Sequence, residues 1–502
     1  MGILDNLALG FSVALSTKAL LFCFIGVTLG TFVGVLPGVG SMAAISMLLP
    51  LTFYLEPMVA LVMLAGIYYG SQYGGSTAAI LLNLPGSATS AITCIDGYPM
   101  AQKGRAGVAL CITTIASFFG GSVAIVLLSA FAPGLSRMAL SFGPAEYFSM
   151  MMLGLVAASS LSLGSPLKSI AMVVFGLLLG IIGTDIETGQ YRFVFNTPYL
   201  YDGLSIVALA MGLFGVAEII ANLAQQGRGA PSVRKISWRS LLPSREDLRA
   251  SRMPMLRGTA VGSGLGILPG TGSAISTVIA YAVERKVAKD PSRFGKGAIE
   301  GVVAPESANN AAAQAAFIPT LTLGIPGDVV MALMLGAFMI HGITPGPQLI
   351  VNHPDVFWGL VASFWIGNLL LVILNLPLVG IWVKVLSIPY HILYPSVLFF
   401  ICIGVYSINN NPFDIMVVLV FGIVGYLMRV GNFPMAPLLL GFILGPLLEE
   451  NLRRTLILSR GDLMILLERP VSAGMLAAAS LLLLFTLLSM IRKERRGKGL
   501  PA

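Results

Sequence analysis

The sequence describes an all-α polytopic membrane protein made of two inverted repeats, each with a re-entrant hairpin and a discontinuous helix. Three observations lead there: composition, a motif written twice, and the placement of positive charge. Of 502 residues, 56% are hydrophobic and only 10% charged, and mean hydropathy is +0.89, whereas a soluble domain carries about 25% charged residues. Apolar stretches long enough to cross roughly 30 Å of hydrocarbon recur from end to end. Runs such as "SVAIVLLSAFAP" and "AGMLAAASLLLLFTLLSMI" do not alternate as β-barrel strands do.

The motif "GVLPGVGS" at 34–41 returns as "GILPGTGS" at 266–273. Downstream, "NLPGS" at 83–87 answers to "GIPGD" at 324–328, and "SPLKSIAMVVFGLLLG" from 165 to "NPFDIMVVLVFGIVGY" from 411. Three blocks in one order define two halves of transporter size, too long for solenoid repeats. Charge then orients them. Residues 225–257 hold eight Lys or Arg against Glu246 and Asp247, and so belong in the cytoplasm; 184–202 has three acids and only Arg192, and 342–357 has no Lys or Arg, which puts both outside. The net charge of +8 thus reads as a topology signal, not as a nucleic-acid surface.

In chain order, the N-terminus lacks a basic start and a cleavage site for secretion. Residues 1–225 form the first repeat, with a hairpin at about 20–51 and a broken helix at about 58–95. Passes follow near 107–132, 145–162, 166–183 and 203–224. A basic cytoplasmic linker spans 226–257. The second repeat, 258–452, has a hairpin at about 258–283 and a broken helix at about 298–341. Its passes lie near 356–380, 390–407, 413–430 and 433–448. Residues 453–502 add a span at 471–491 and the basic tail "IRKERRGKG". The second hairpin is flanked by basic residues on both sides, including the insert "ERKVAKDPSRFGKG", so both its ends face the cytoplasm. The first is followed by "LTFYLEP", without Lys or Arg, and opens outward. Arg453 and Arg454 then fall outside, against the positive-inside tendency.

Pro-Gly breaks at membrane depth survive where protein or a water-filled cavity satisfies the freed backbone groups. A helix starting there offers N–H groups and a positive dipole end to a carboxylate, while carbonyls freed by unwinding can ligate Na⁺. The substrate-binding candidates are therefore the small residues of the tips, Gly38, Gly40, Ser41, Gly270, Thr271, Gly272 and Ser273. To them are added Asn83, Gly86, Ser87, Asn309, Asn310 and Gly327 at the breaks. Ser76, Thr77, Thr89, Glu306, Ser307 and Asp328 are the cation-coupling candidates, a set of hydroxyls and carboxylates. Any one of these small residues also has a plain reading as close helix packing. It is their order in both halves that points to a site.

Cys23, Cys94, Cys111 and Cys402 sit singly in apolar segments and read as packing residues. His341, His353 and His391 fall near span ends, and Lys168 and Lys384 read as snorkelling side chains. The chain has no Walker A sequence, HExxH, CxxC or GxSxG. Enzyme chemistry and a cofactor are not expected, and energy would come from an ion gradient or a partner.

The segments "GTFVGVLPGVGSMAAISMLLPLTF", "YYGSQYGGSTAAILLNLPGSATSAITCIDGYPMAQKGRAGVAL" and "GVVAPESANNAAAQAAFIPTLTLGIPGD" closely resemble the TctA family, the large membrane subunit of tripartite tricarboxylate transporters. The resemblance covers essentially the whole chain. It implies an elevator-type secondary transporter of the bacterial inner membrane, multi-pass with a cytoplasmic C-terminus. It would import di- or tricarboxylates such as citrate on a Na⁺ or H⁺ gradient. Its implied partners are a small membrane subunit (TctB-like) and a periplasmic solute-binding protein (TctC-like). The competing reading is a membrane scaffold or receptor-like subunit that senses a binding protein without moving solute.

Overall fold

The computed structural model describes residues 2–36, 40–161, 165–185, 187–223, 238–268, 272–386 and 390–497. Among the described residues the only strands are Gly183–Thr184 and Tyr191–Arg192, paired antiparallel inside the 184–202 segment. Six helices among the described residues are long and apolar enough to cross a membrane. The protein is an all-α, multi-pass membrane protein. Its contacts divide it into two compact units, residues 1–137, 205–267 and 272–427 in the first, and 138–204, 268–271 and 428–502 in the second.

The chain opens with α1 (Ile3–Ala14), ahead of the first helix expected from sequence. The first pair of helices is α2 (Thr17–Val35) and α3 (Gly40–Thr52), the former capped by Ser16, whose Oγ accepts the Ala19 N–H. α4 (Pro57–Leu82) starts on a proline, whose fixed φ suits the first helical turn. A 3₁₀ turn, Ala88–Ser90, leads into α5 (Ala91–Met100), and a π-helical turn, Ala101–Arg105, into α6 (Ala106–Ala139). α7 (Pro144–Leu161) and α8 (Pro166–Gly180) belong to the second unit. α9 (Ile206–Ala210) continues through a π-helical turn into Ala217–Leu223.

α10 (Arg245–Gly266) starts within the basic segment, at a capping box in which Ser244 and Asp247 bond each other's backbone N–H. Residues 245–257 are therefore helical and continuous with the arm expected from 258. The second arm is α11 (Gly272–Val287). α12 (Glu300–Ala315), α13 (Phe317–Leu323) and α14 (Val329–Ile340) divide the second discontinuous helix. α15 (Pro354–Asn375), α16 (Tyr390–Asn409) and α17 (Pro412–Val430) follow. α18 (Met435–Leu458) runs a further ten residues past the expected end at 448, through Arg453 and Arg454, because Glu449–Arg453 and Glu450–Arg454 pair at i,i+4 along it. α19 (Pro470–Gly497) is last.

Within the first unit, the first arm of each helix pair is glued to the first segment of its discontinuous helix by glycine at every fourth position. A Cβ on Gly26, Gly30 or Gly34 of α2 would stand 2.4, 2.3 or 2.3 Å from the carbonyls of Met63, Ile67 and Ser71 in α4. One on Gly258, Gly262 or Gly266 of α10 would stand 2.3, 2.2 or 2.6 Å from those of Ala304, Ala308 and Ala312 in α12. Backbone-to-backbone contact of this kind is how helices associate where lipid removes the hydrophobic drive. A core of Ile80, Met100, Ile112, Val302 and Val303 gathers α4, α5, α6 and α12.

The second unit holds its polar loop by ion pairs. Arg192 donates to both carboxylate oxygens of Glu449 at 2.9 Å and pairs with Asp185, while Arg453 reaches Asp185 at 3.0 Å and Glu449 at 2.7 Å. These bonds neutralise Arg453, the cation that the sequence reading sets against the charge rule. Partial burial works against ionisation of Asp185. Hydrogen bonds from Thr188, the Glu187 backbone, Arg192 and Arg453 outweigh it and hold the carboxyl well below the usual range.

Candidate binding site in the broken helices

Two interruptions of the same form lie in the first unit. α4 ends at Asn83, in the left-handed conformation with φ of 56°, and α13 ends at Gly324 with φ of 71°. Asparagine and glycine are the residues that reach this conformation most readily. Each is followed by Pro-Gly and then by a capping residue with an extended backbone, Ser87 in one half and Asp328 in the other, at φ of −147° in both. Asp328 Oδ1 accepts the Met331 N–H at 2.8 Å, the usual N-cap bond. Ser87 Oγ bonds Thr89 Oγ1 at 2.7 Å, and the Ser87 N–H donates to Ser90 Oγ at 3.2 Å.

The glycine that starts the second arm of each helix pair lies against these breaks. Gly40 has φ of +68°, and a Cβ there would come 3.9 Å from the Gly86 carbonyl; Gly272 has φ of +61°, and its Cβ would come 3.4 Å from Asp328 Cβ. Gly86 itself has no room for a side chain, since a Cβ would meet Gly34 O at 2.3 Å. Gly327 is buried against Ala316, and its N–H donates to Thr320 Oγ1 at 3.3 Å. Ser41 and Ser273, one residue further along, are both buried.

A line of polar groups joins the two breaks. Thr89 Oγ1 donates to Gln72 Oε1 at 2.8 Å, Gln72 and Ser273 lie beside the Tyr68 hydroxyl, and that hydroxyl donates to Asp328 Oδ2 at 2.8 Å. A second cluster surrounds Glu306 of α12. Thr93 Oγ1 lies 2.5 Å from Oε1, Ser117 Oγ 3.4 Å from Oε2, and Ser76 also faces the carboxyl. Asn310 belongs to this cluster, its Nδ2 donating to Ser117 Oγ at 2.8 Å and to the Glu306 carbonyl at 3.2 Å.

Among the described residues, no Lys, Arg or His is buried. An anion entering these breaks would meet backbone N–H groups and hydroxyls rather than a cationic clamp. Asn309 is 1% exposed, and neither its amide oxygen nor its nitrogen has a partner in the protein. A buried amide left this way is costly unless a bound molecule completes it.

Other sequence candidates are placed more plainly. Ser307 Oγ bonds the Ala304 carbonyl and fills the space over Gly258, a packing position in the α10–α12 contact. Thr77 is buried on α4, and Asn83 is exposed. Gly38, Gly270 and Thr271 lie outside the described residues. Sequence reasoning missed Tyr68, Thr93 and Ser117 as site partners. Each is a hydroxyl in an apolar helix, and only the fold shows which of many such hydroxyls face a carboxyl.

A family model described as "Tripartite tricarboxylate transporter TctA family" matches residues 20–440 of this chain. A protein of Agrobacterium vitis named "Uncharacterized 52.8 kDa protein in TAR-I ttuC' 3'region" is 54% identical over 496 residues, 99% of this chain and 98% of its own length. A second from the same organism, "Uncharacterized protein in TAR-II ttuC' 3'region", is 58% identical over 235 residues, 47% of this chain and 97% of its own length. No solved structure matches.

Proposed function

The chain belongs to the tripartite tricarboxylate transporter TctA family, and from that membership and the paired helix breaks we propose that it is the large transmembrane subunit of a binding-protein-dependent secondary transporter importing di- or tricarboxylates of the citrate type. The observation that carries the reading is the matched geometry at Asn83–Ser87 and Gly324–Asp328, each break facing a glycine with positive φ, Gly40 or Gly272. On this reading α2–α3 and α10–α11 are re-entrant hairpins of opposite orientation. Their tips and the two breaks bind the carboxylate groups through N–H donors. Asn309 supplies a buried amide that no protein group bonds.

Because Asp328 and Glu306 are themselves acidic, binding a further anion beside them requires a cation to offset the repulsion. That requirement supports coupling to a Na⁺ or H⁺ gradient, with Ser76, Thr77 and Thr89 as further oxygen donors. The family's tripartite design supplies the partners, a small membrane subunit and a periplasmic solute-binding protein that delivers the substrate. The location is then the bacterial inner membrane, with the basic C-terminus in the cytoplasm.

Vesicles reconstituted with all three components are expected to take up labelled citrate or a related acid only when an ion gradient is imposed. Uptake of the same size with no gradient would remove ion coupling. Binding of the solute-binding protein without any uptake would favour a receptor role instead.

A further inference from the structure

The buried carboxyls of the described residues differ in the kind of donor that faces them. Glu284 is bonded by Arg257 through two bonds of 2.8 and 2.6 Å, and Glu146 by Arg469 at 2.9 Å. Asp96 accepts two backbone N–H groups, Gly297 and Ala298, at 2.8 Å each, and the Tyr281 hydroxyl at 2.9 Å. Asp328 accepts a backbone N–H at the start of α14, and Asp414 the Asn409 amide at 2.9 Å. Backbone N–H groups, guanidinium and side-chain NH₂ groups donate and cannot accept, so they suit a carboxylate and offer nothing to an acidic proton.

Glu306 is the exception. It is 1% exposed, no cation faces it among the described residues, and the groups bonded to its carboxyl are side-chain hydroxyls, Thr93 from α5 and Ser117 from α6, with Ser76 of α4 beside them giving its own hydrogen to the Tyr73 carbonyl. A hydroxyl rotates and serves as donor or acceptor alike. Asn310 Nδ2 donates to Ser117 Oγ, which leaves that oxygen one lone pair to accept from a protonated Oε2 and its own hydrogen to give to an ionised one. The same cage therefore completes both charge states, but only the neutral one avoids holding an unpaired charge away from water. Thr93 Oγ1 bonds Oε1 directly.

Of the other titratable groups on neighbouring helices, Tyr73 of α4 and Cys94 of α5 lie within electrostatic reach of Glu306. Asp96 and Tyr281 are bonded to each other, as are Arg257 and Glu284. Arg285 and Lys286 of α11 are exposed.

We infer that Glu306 is a proton site: its carboxyl takes up one proton from the side of higher proton activity and gives it up to the other, so the coupling ion of this transporter is H⁺. This rests on the transport reading above and deepens it. The balance is one proton gained and lost at one oxygen per cycle, with no other bond made or broken.

The test has two parts. In the purified protein, infrared difference spectra should show a protonated-carboxyl C=O band that vanishes on alkaline titration, ignores NaCl at constant pH, and is absent from Glu306→Gln. Thr93→Val and Ser117→Ala, which keep the carboxyl, should shift the band without removing it. An unchanged spectrum in Glu306→Gln, or a band that responds to NaCl, overturns the assignment.

In vesicles with the partner subunits, no Na⁺ and the membrane potential clamped, a gradient of one pH unit should sustain about a tenfold concentration ratio if one proton accompanies each carboxylate. Glu306→Gln should not rise above equilibrium. Accumulation by Glu306→Gln equal to wild type, or wild-type accumulation on a Na⁺ gradient alone, overturns proton coupling. If wild type moves no carboxylate under any gradient, the transport reading fails while the infrared result still decides Glu306.

Discussion

Tyr68 shows how much depends on one hydroxyl in this protein. It is completely buried and gives Asp328 the only donor to Oδ2 among the described bonds, tying the middle of α4 to the start of α14. Tyr68→Phe keeps the ring and removes that donor, leaving an acidic oxygen buried without its partner. The expected cost is about 1–3 kcal/mol, read as a lower unfolding midpoint in detergent, with a parallel fall in carboxylate uptake. Gly40 and Gly272 test a different physical term. Their positive φ disfavours any side chain, so Gly40→Leu and Gly272→Leu should abolish uptake while membrane insertion and expression stay normal; full uptake in both would remove these glycines from the site. The positive-φ glycines Gly40 and Gly272 were legible in the sequence because Leu-Pro-Gly followed by Gly-Ser is written twice. The hydroxyl partners of Glu306 and Asp328 were not, because Thr93 and Ser117 are 213 and 189 positions from Glu306, and Tyr68 260 from Asp328. No local spacing encodes such contacts.

At the scale of elements, the helices from 144 to 180 were readable from their apolar runs, since α7 and α8 begin at Pro144 and Pro166 where those runs start. The C-terminal third was harder. The run after Phe433 loses its apolar character at Glu449, yet α18 continues to Leu458 because charged side chains pair along it and across to the 184–202 loop. Hydropathy cannot see an ion pair between segments more than 250 residues apart. That loop also yields a pH prediction. Asp185 has its carboxyl depressed in the folded protein, so its contribution is complete above the unfolded value of about 4 and is lost as pH falls further, toward its folded value. Protease nicking of the 184–202 loop should be slow at neutral pH and accelerate below about pH 4 in wild type. In Asp185→Asn nicking should already be faster at neutral pH, with a smaller change on acidification.

At the scale of the molecule, the duplication was the most legible feature, and its opposed orientation is the part most in need of a direct test. Single cysteines at Tyr54 and Ser292, exposed beyond the open ends of the two helix pairs, in a background without Cys23, Cys94, Cys111 and Cys402, should react with impermeant thiol reagents from opposite sides of the membrane. Labelling of both from one side would rule out inversion. The glycine contacts between α2 and α4, and between α10 and α12, carry a further consequence. Gly30→Leu or Gly262→Leu would drive a side chain into a neighbouring carbonyl, and should destabilise the protein by at least about 1–3 kcal/mol, measured by thermal unfolding in detergent. The same lack of clearance bears on motion. With backbone meshed against backbone at three successive turns, like the teeth of two racks, neither helix of a pair can creep along the other by a fraction of a residue. Each arm and its partner must travel as one rigid body during any working stroke, and whatever bends has to be sought in the stretches where the chain leaves its helices.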